Sequence, residues 1–200
     1  VRASSVRKFG GWNPDTVTED TDLTLRLVLH GQRVRFDLTA IDTEESVSTF
    51  RRFWRQRYRW ARGHQQAWRE YRRAVWRSPT LRWSQKIETT MFLLVYHVPV
   101  ACALGGVLIF ARAAGLVNWG NSIDLTPIAT LLFLGPLVEL ASGLVVSRAP
   151  RRAALGILLF LPSFVIFTIV CTKAWFDGVI GRPYTWNKTQ RSGHGQVHTI

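Results

Sequence analysis

Two hundred residues with a net charge of +13, 47% hydrophobic side chains and 12% aromatics exclude an ordinary soluble domain, because charge and apolar surface in these amounts coexist only when segregated along the chain. They are segregated: residues 1 to 85 are polar and basic, whereas residues 87 to 176 hold three long apolar stretches separated by short polar joints. A soluble portion followed by a membrane portion is the expected organisation.

The chain opens without methionine on VRASSVRKFGGWNPD, which reads as the interior of a folded domain, with GGW turning into an Asn-Pro-Asp loop. It is therefore expected to be the later portion of a longer catalytic domain. TEDTDLTLRLVLHG then carries the marks of a helix start. Thr18 stands at the N-cap position, Glu19, Asp20 and Asp22 complement the dipole in the first turns, and Gly31 closes the helix. Leu23, Leu27, Val28 and Leu29 give it an apolar face. QRVRFDLTAI alternates Val34, Phe36 and Leu38, which predicts a short strand and, with the helix before it, the tail of an α/β domain.

From Thr49 to Trp76, aromatic and apolar residues recur near helical spacing in FRRFWRQRYRWARGHQQAWREYRRAVW. Between Arg51 and Lys86 stand twelve Lys or Arg and a single acid, Glu70, so the run predicts an amphipathic helix suited to the headgroups of an anionic leaflet. Ser78-Pro79 ends it. The apolar stretches Met91 to Ala111, Leu125 to Val146 and Ala153 to Phe176 are each long enough for a hydrocarbon core of roughly 30 Å. Cys102 and Cys171 fall inside them, as buried small hydrophobes. The basic run before the first stretch predicts a cytosolic side, as do the three arginines between Ser147 and Arg152. Three full spans would then put Arg182, Lys188 and Arg191 outside, so the stretch containing Pro162 is expected to lie along the interface or to re-enter. Glu139, inside the second stretch, must face protein or water, or pair with a neighbour.

The basic aromatic run admits three readings. Nucleic-acid binding is set aside, because the run abuts a span where the positive-inside rule already accounts for arginine. A basic membrane anchor or scaffold without chemistry explains charge, aromatics and position together. The third reading is catalytic. TED at Thr18 to Asp20, QRYRW at Gln56 to Trp60 continued by WARG, and WNKTQRSG at Trp186 to Gly193 form an ordered set that resembles the membrane-embedded family 2 glycosyltransferases, which include the cellulose, hyaluronan and poly-N-acetylglucosamine synthases. The resemblance covers nearly the whole chain.

That resemblance implies the C-terminal part of an α/β catalytic domain of the GT-A type at residues 1–48. An interfacial amphipathic helix region bearing the QxxRW motif follows at 49–85, then two or three membrane helices at 86–176 and a cytosolic gating-like loop and tail at 177–200. It implies inverting transfer of a sugar from a nucleotide-diphosphate donor to a glycan or lipid acceptor, with processive polymer synthesis within its range. The setting it implies is the plasma membrane of a bacterium, with the catalytic portion cytosolic and lipids as further partners. Asp20 matches the family's base, which must take the acceptor hydroxyl's proton as attack proceeds. Arg59, with Arg57 as second choice, would hold the leaving diphosphate through a planar fork of donors. Gln56 can hydrogen-bond hydroxyls or phosphate, Trp60 offers a flat surface to a sugar face, and Glu19 flanks the base. Trp186, Lys188, Thr189 and Arg191 match the gating-like loop. The Mg²⁺ or Mn²⁺ ligands are expected in the nucleotide-binding half, outside these residues. Asp20-Thr21-Asp22 opens a helix and is not assigned to metal, and the 200 residues alone are expected to be inactive.

Overall fold

The computed structural model describes residues 2–35, 37, 47–117, 126–147, 155–156 and 158–183, with backbone alone at 126–133, 136 and 161. The described residues form seven helices in chain order: α1 Ala3–Lys8, α2 Glu19–Leu29, α3 Phe50–Arg77, α4 Trp83–Leu94, α5 Val98–Ala113, α6 Thr126–Val146 and α7 Phe160–Val179. The strand predicted at residues 32–41 falls largely outside the described residues. Its first four residues have no regular structure.

Helix ends follow local chemistry. α2 closes in a Schellman arrangement: Gly31 takes a φ of 76°, its N–H donates to the Val28 carbonyl, and the Gln32 N–H reaches back to Leu27. Gly115 after α5 and Gly181 after α7, with φ of 70° and 69°, repeat this closure. α3 begins where the Thr49 hydroxyl accepts from the Arg52 N–H at 3.3 Å, and it stops at Ser78 because Pro79 forces the preceding residue out of helical geometry. Thr18 also precedes a helix, yet its side chain accepts no capping hydrogen bond. That side chain is used against α3.

α3 is the organising element. At 28 residues it is about 42 Å long, and it packs against α2, α4 and α7, while α5 packs against α7. Its middle is buried all round through Ala61, Gly63, Gln65 and Ala67. One apolar cluster joins Ala61 to Val100, Cys171 and Ala174, edged by Tyr58, Tyr96 and Phe167. A second joins Ala67 to Leu25 and Leu93, edged by Trp68 and Tyr71. Small residues on α3 let its neighbours approach closely, so each face receives a different helix.

The first apolar stretch departs from the expectation of one straight span. It is divided between α4 and α5, which meet at an angle of 61°. Pro99, in the first turn of α5, suits a helix start and not a helix interior. Among the described residues, Pro162–Val179 is the single helix long and apolar enough to cross a membrane, and the bent α4–α5 pair would be a second if counted as one span. Glu139 is exposed on α6.

Candidate active site

Helical geometry sorts the α3 side chains into three faces, because residues three, four and seven apart are stacked on one side. Gln56, Arg59, Trp60, Gly63 and Ala67 share the face that meets α2. Arg57, Ala61, His64 and Trp68 face α4 and the start of α5. Tyr58, Arg62, Gln65 and Arg69 face α7. The contacts of Gly63 with Thr18, of His64 with Phe92 and of Tyr58 with Asp177 agree with this division.

On the α2 face the closest approach is between Gly63 and Thr18. A Cβ added at Gly63 would collide with the Thr18 side chain, coming within 2.8 Å of its Cβ. The glycine of WARG therefore admits the TED turn to α3 one turn beyond Trp60. The Gln66 amide strengthens the seat by donating to the Asp15 carbonyl at 3.4 Å. Asp20 is exposed in the first turn of α2, with one carboxylate oxygen accepting from the Thr21 N–H at 2.7 Å. Glu19 is half-buried beside it. Asp22 is committed elsewhere: 2% exposed, it pairs with Arg26 at 2.7 Å and accepts from the Tyr71 hydroxyl at 2.5 Å. Arg26 also donates to the carbonyls of Phe9 and Gly11, so one carboxylate ties α2, α3 and the loop after α1 together.

The QRYRW side chains divide by face. Gln56, Arg59 and Trp60 stand with Gly63 and are half-buried, and the Arg59 Nε is buried with no hydrogen-bond partner. Arg57 lies over the rings of Phe53 and Trp60, 5.2 and 4.6 Å from their centroids, and beside Tyr96. It braces the motif from the neighbouring face. His64, one residue past Gly63, sits against Phe92 and Tyr96 with centroids 4.9 and 4.7 Å away. Burial lowers its pKa, opposed by the charge of Asp20 and a backbone hydrogen bond at Phe92, with His97 reinforcing the fall. Burial pushes up the carboxyl of Glu70, aided by Asp22 and opposed by Arg26. Burial and the bond to Asp22 hold the Tyr71 hydroxyl well above its ordinary range.

The third face carries residues that sequence reasoning missed. Tyr58, at the centre of QRYRW, donates to Asp177 at 2.6 Å, and that carboxylate, 3% exposed, also takes Lys173 at 2.5 Å and Arg182 at 3.3 Å. Arg62 donates to the carbonyls of Ala174 and Arg182, Gln65 to those of Tyr96 and Cys171, and Arg69 to that of Gly178. Arg69 on the Gly178 carbonyl, in the last turn of α7, places a cation where it complements the helix dipole. Gly178 permits this, since a Cβ there would strike the Arg62 guanidinium. The signal was available: polar residues at 58, 62, 65 and 69 repeat at helical spacing. Trp186, Lys188, Thr189 and Arg191 lie outside the described residues, but the last described residues before them, Arg182 and Pro183, stand at the α3 end of α7.

A family profile described as glycosyl transferase family group 2 matches residues 1–176. The chain belongs to that family. A beta-monoglucosyldiacylglycerol synthase of Synechocystis sp. is 38% identical over 102 residues, which is 50% of this chain and 21% of that protein. A probable glycosyltransferase, YdaM, of Bacillus subtilis is 45% identical over 65 residues, 32% of this chain and 16% of that one. A probable glucomannan 4-beta-mannosyltransferase 3 of Arabidopsis thaliana is 33% identical over 69 residues, 34% and 12% of the two chains. The chain thus spans between 12% and 21% of the length of these family relatives. No solved structure matches it.

Proposed function

We propose that these residues form the acceptor and leaving-group side of an inverting, membrane-bound glycosyltransferase site, on a chain that ends a GT-A-type α/β catalytic domain and continues into membrane helices. The observation that carries the reading is the Gly63–Thr18 contact, which sets the TED turn against the face of α3 that bears Gln56, Arg59 and Trp60. The unpartnered Arg59 Nε supports it as well, because a buried donor left open costs about 1–3 kcal/mol and is offset when a ligand oxygen arrives.

In this reading the acceptor hydroxyl loses its proton to Asp20 as its oxygen attacks the anomeric carbon. The bond from that carbon to the diphosphate breaks on the opposite side, and the diphosphate departs with the electron pair. Arg59 and Gln56 meet its developing charge, and Trp60 stacks on the acceptor ring. The described carboxylates do not suit a metal: Asp22 is consumed by Arg26 and Tyr71, and no group of three His, Cys, Asp or Glu side chains converges among the described residues. Mg²⁺ or Mn²⁺, which this chemistry uses to neutralise a diphosphate, would take its ligands from the nucleotide-binding half of the domain.

The relatives' names carry both a diacylglycerol and a glucomannan, so the acceptor is a lipid or a glycan and both belong in the assay. The test joins these residues to the nucleotide-binding half and measures transfer from a panel of nucleotide-diphosphate sugars to diacylglycerol and to a β-linked glycan by membranes carrying the joined protein. Asp20→Asn is expected to lower turnover by about 10²- to 10⁴-fold with the protein still membrane-bound. Undiminished transfer discards Asp20 as base, whereas no transfer from any donor by the unsubstituted protein leaves the anchor reading in its place.

A further inference from the structure

Beyond the transfer site, a partly open cavity of about 280 Å³ lies between the α3 face that meets α7, the α4–α5 break and the end of α7. Trp68 and Trp175 contribute its apolar walls and Arg69 and Arg72 its charge, while Gln65 and His97 close its inner end. Two facts mark it as a ligand site. Gln65 is 3% exposed; its amide nitrogen is used on Cys171 and Tyr96, but its Oε1 is buried and has no partner. Neither Arg69 nor Arg72 has an ion-pair partner among the described residues, and each spends one described hydrogen bond on a backbone carbonyl.

A buried amide oxygen requires a donor, and two guanidinium groups on one wall favour an anion. Water can answer the first, whereas an anion bearing a hydroxyl answers both at once. Tryptophans beside arginines are the side chains that settle at the depth of headgroups, with the ring in the acyl boundary and the cation at the phosphate. We propose that this cavity binds an anionic phospholipid whose headgroup carries a free hydroxyl. Its phosphodiester lies against Arg69 and Arg72, its hydroxyl donates to Gln65 Oε1, and its glycerol backbone and upper acyl chains lie along Trp68, Trp175 and Val179. The site is on the opposite face of α3 from Gln56, Arg59 and Trp60, so its occupant is a resident lipid and not the acceptor. The inference rests on the membrane reading above.

The full chain is reconstituted into vesicles of phosphatidylcholine containing either phosphatidylglycerol or phosphatidylmethanol, the same phosphodiester without free hydroxyls, and the lipids retained after detergent extraction are counted by mass spectrometry. Phosphatidylglycerol should be retained several-fold over both other lipids, and millimolar glycerol phosphate should not displace it. Arg72→Gln should abolish the preference, whereas Arg77→Gln, on the same helix but outside the cavity, should leave it intact. Equal retention of phosphatidylglycerol and phosphatidylmethanol overturns the hydroxyl contact. Equal loss in the two arginine variants shows diffuse charge and overturns the site, and displacement by glycerol phosphate shows a soluble occupant and overturns the lipid. Failure to associate with vesicles of any composition overturns the membrane reading together with this one, so the two failures are distinguishable.

Discussion

Arg57 and Arg59 stand two residues apart and project from different faces of α3, so their substitutions should separate. Arg57 is stacked on Phe53 and Trp60, whereas Arg59 keeps a buried Nε open on the face shared with Gln56. Arg59→Lys retains the charge and loses the fork, so kcat/KM is expected to fall at least about tenfold, roughly 1.4 kcal/mol, with thermal stability unchanged. Arg57→Lys should instead lower stability with a smaller effect on turnover, and the reverse pattern in the paired assays would exchange their roles. His64 gives a pH signature beside them. Burial holds its folded pKa below the ordinary 6.5, with the charge of Asp20 and the Phe92 bond opposing and His97 reinforcing. The unfolded chain therefore takes up the proton more readily, so stability is full above pH 6.5 and declines as pH falls below it. His64→Gln should flatten that slope in detergent melts of the full chain; an unchanged slope would place the titrating group elsewhere.

The contact between α2 and α3 depends on one missing methyl group. Gly63→Ala would drive a Cβ into Thr18, and relieving an overpacked site of this kind costs about 1–3 kcal/mol. Displacing the TED turn should lower kcat more than the affinity for donor, whereas Gly105→Ala, which meets nothing within 4 Å on α5, should leave both unchanged. Equal kinetics for the two variants would show that the turn is not held by this contact. How much of this was legible in the sequence follows from where the forces are local. The bounds of α3 came within a residue of expectation because Thr49 and Pro79 act on their immediate neighbours. The start of α2 was read correctly, but for a reason that only partly holds: its acidic first turn is present, while the Thr18 side chain packs on Gly63 and caps nothing. The grouping of Gln56 with Trp60 followed from their spacing alone. The assignment of Tyr58 and Arg62 to α7 did not, because Asp177 lies 119 residues from Tyr58 and nothing in a linear pattern names a partner at that distance. The bend between α4 and α5 was similarly hidden, since hydropathy measures how apolar a stretch is and not whether it is straight.

At the scale of the molecule, the arrangement bears on the direction in which the chain crosses a membrane. Val100, in the first turn of α5, and Ala174, near the end of α7, join Ala61 of α3 in one buried cluster. The start of α5 and the end of α7 therefore share the α3 end of the structure. Arg62 fixes this further by holding the Arg182 carbonyl at 2.8 Å. On the membrane reading proposed above, the arginines of α3 would be held on the cytosolic side, which would put the end of α7 on that side as well. On the same reading the far end of α5, about 24 Å away along a 16-residue helix, would lie on the opposite side. On that reading Arg182 stays on the α3 side, whereas three straight spans would have put it outside. Single cysteines at Arg77, Leu116 and Arg182 test it in a Cys102→Ala, Cys171→Ala background, all three positions being exposed. A membrane-impermeant maleimide applied from the cytosolic face is expected to label Arg77→Cys and Arg182→Cys and to spare Leu116→Cys, with the opposite result from the outer face. Labelling of Arg182→Cys together with Leu116→Cys from outside would detach α7 from the side of α3 and, with it, any part for the residues beyond Pro183 in closing the site.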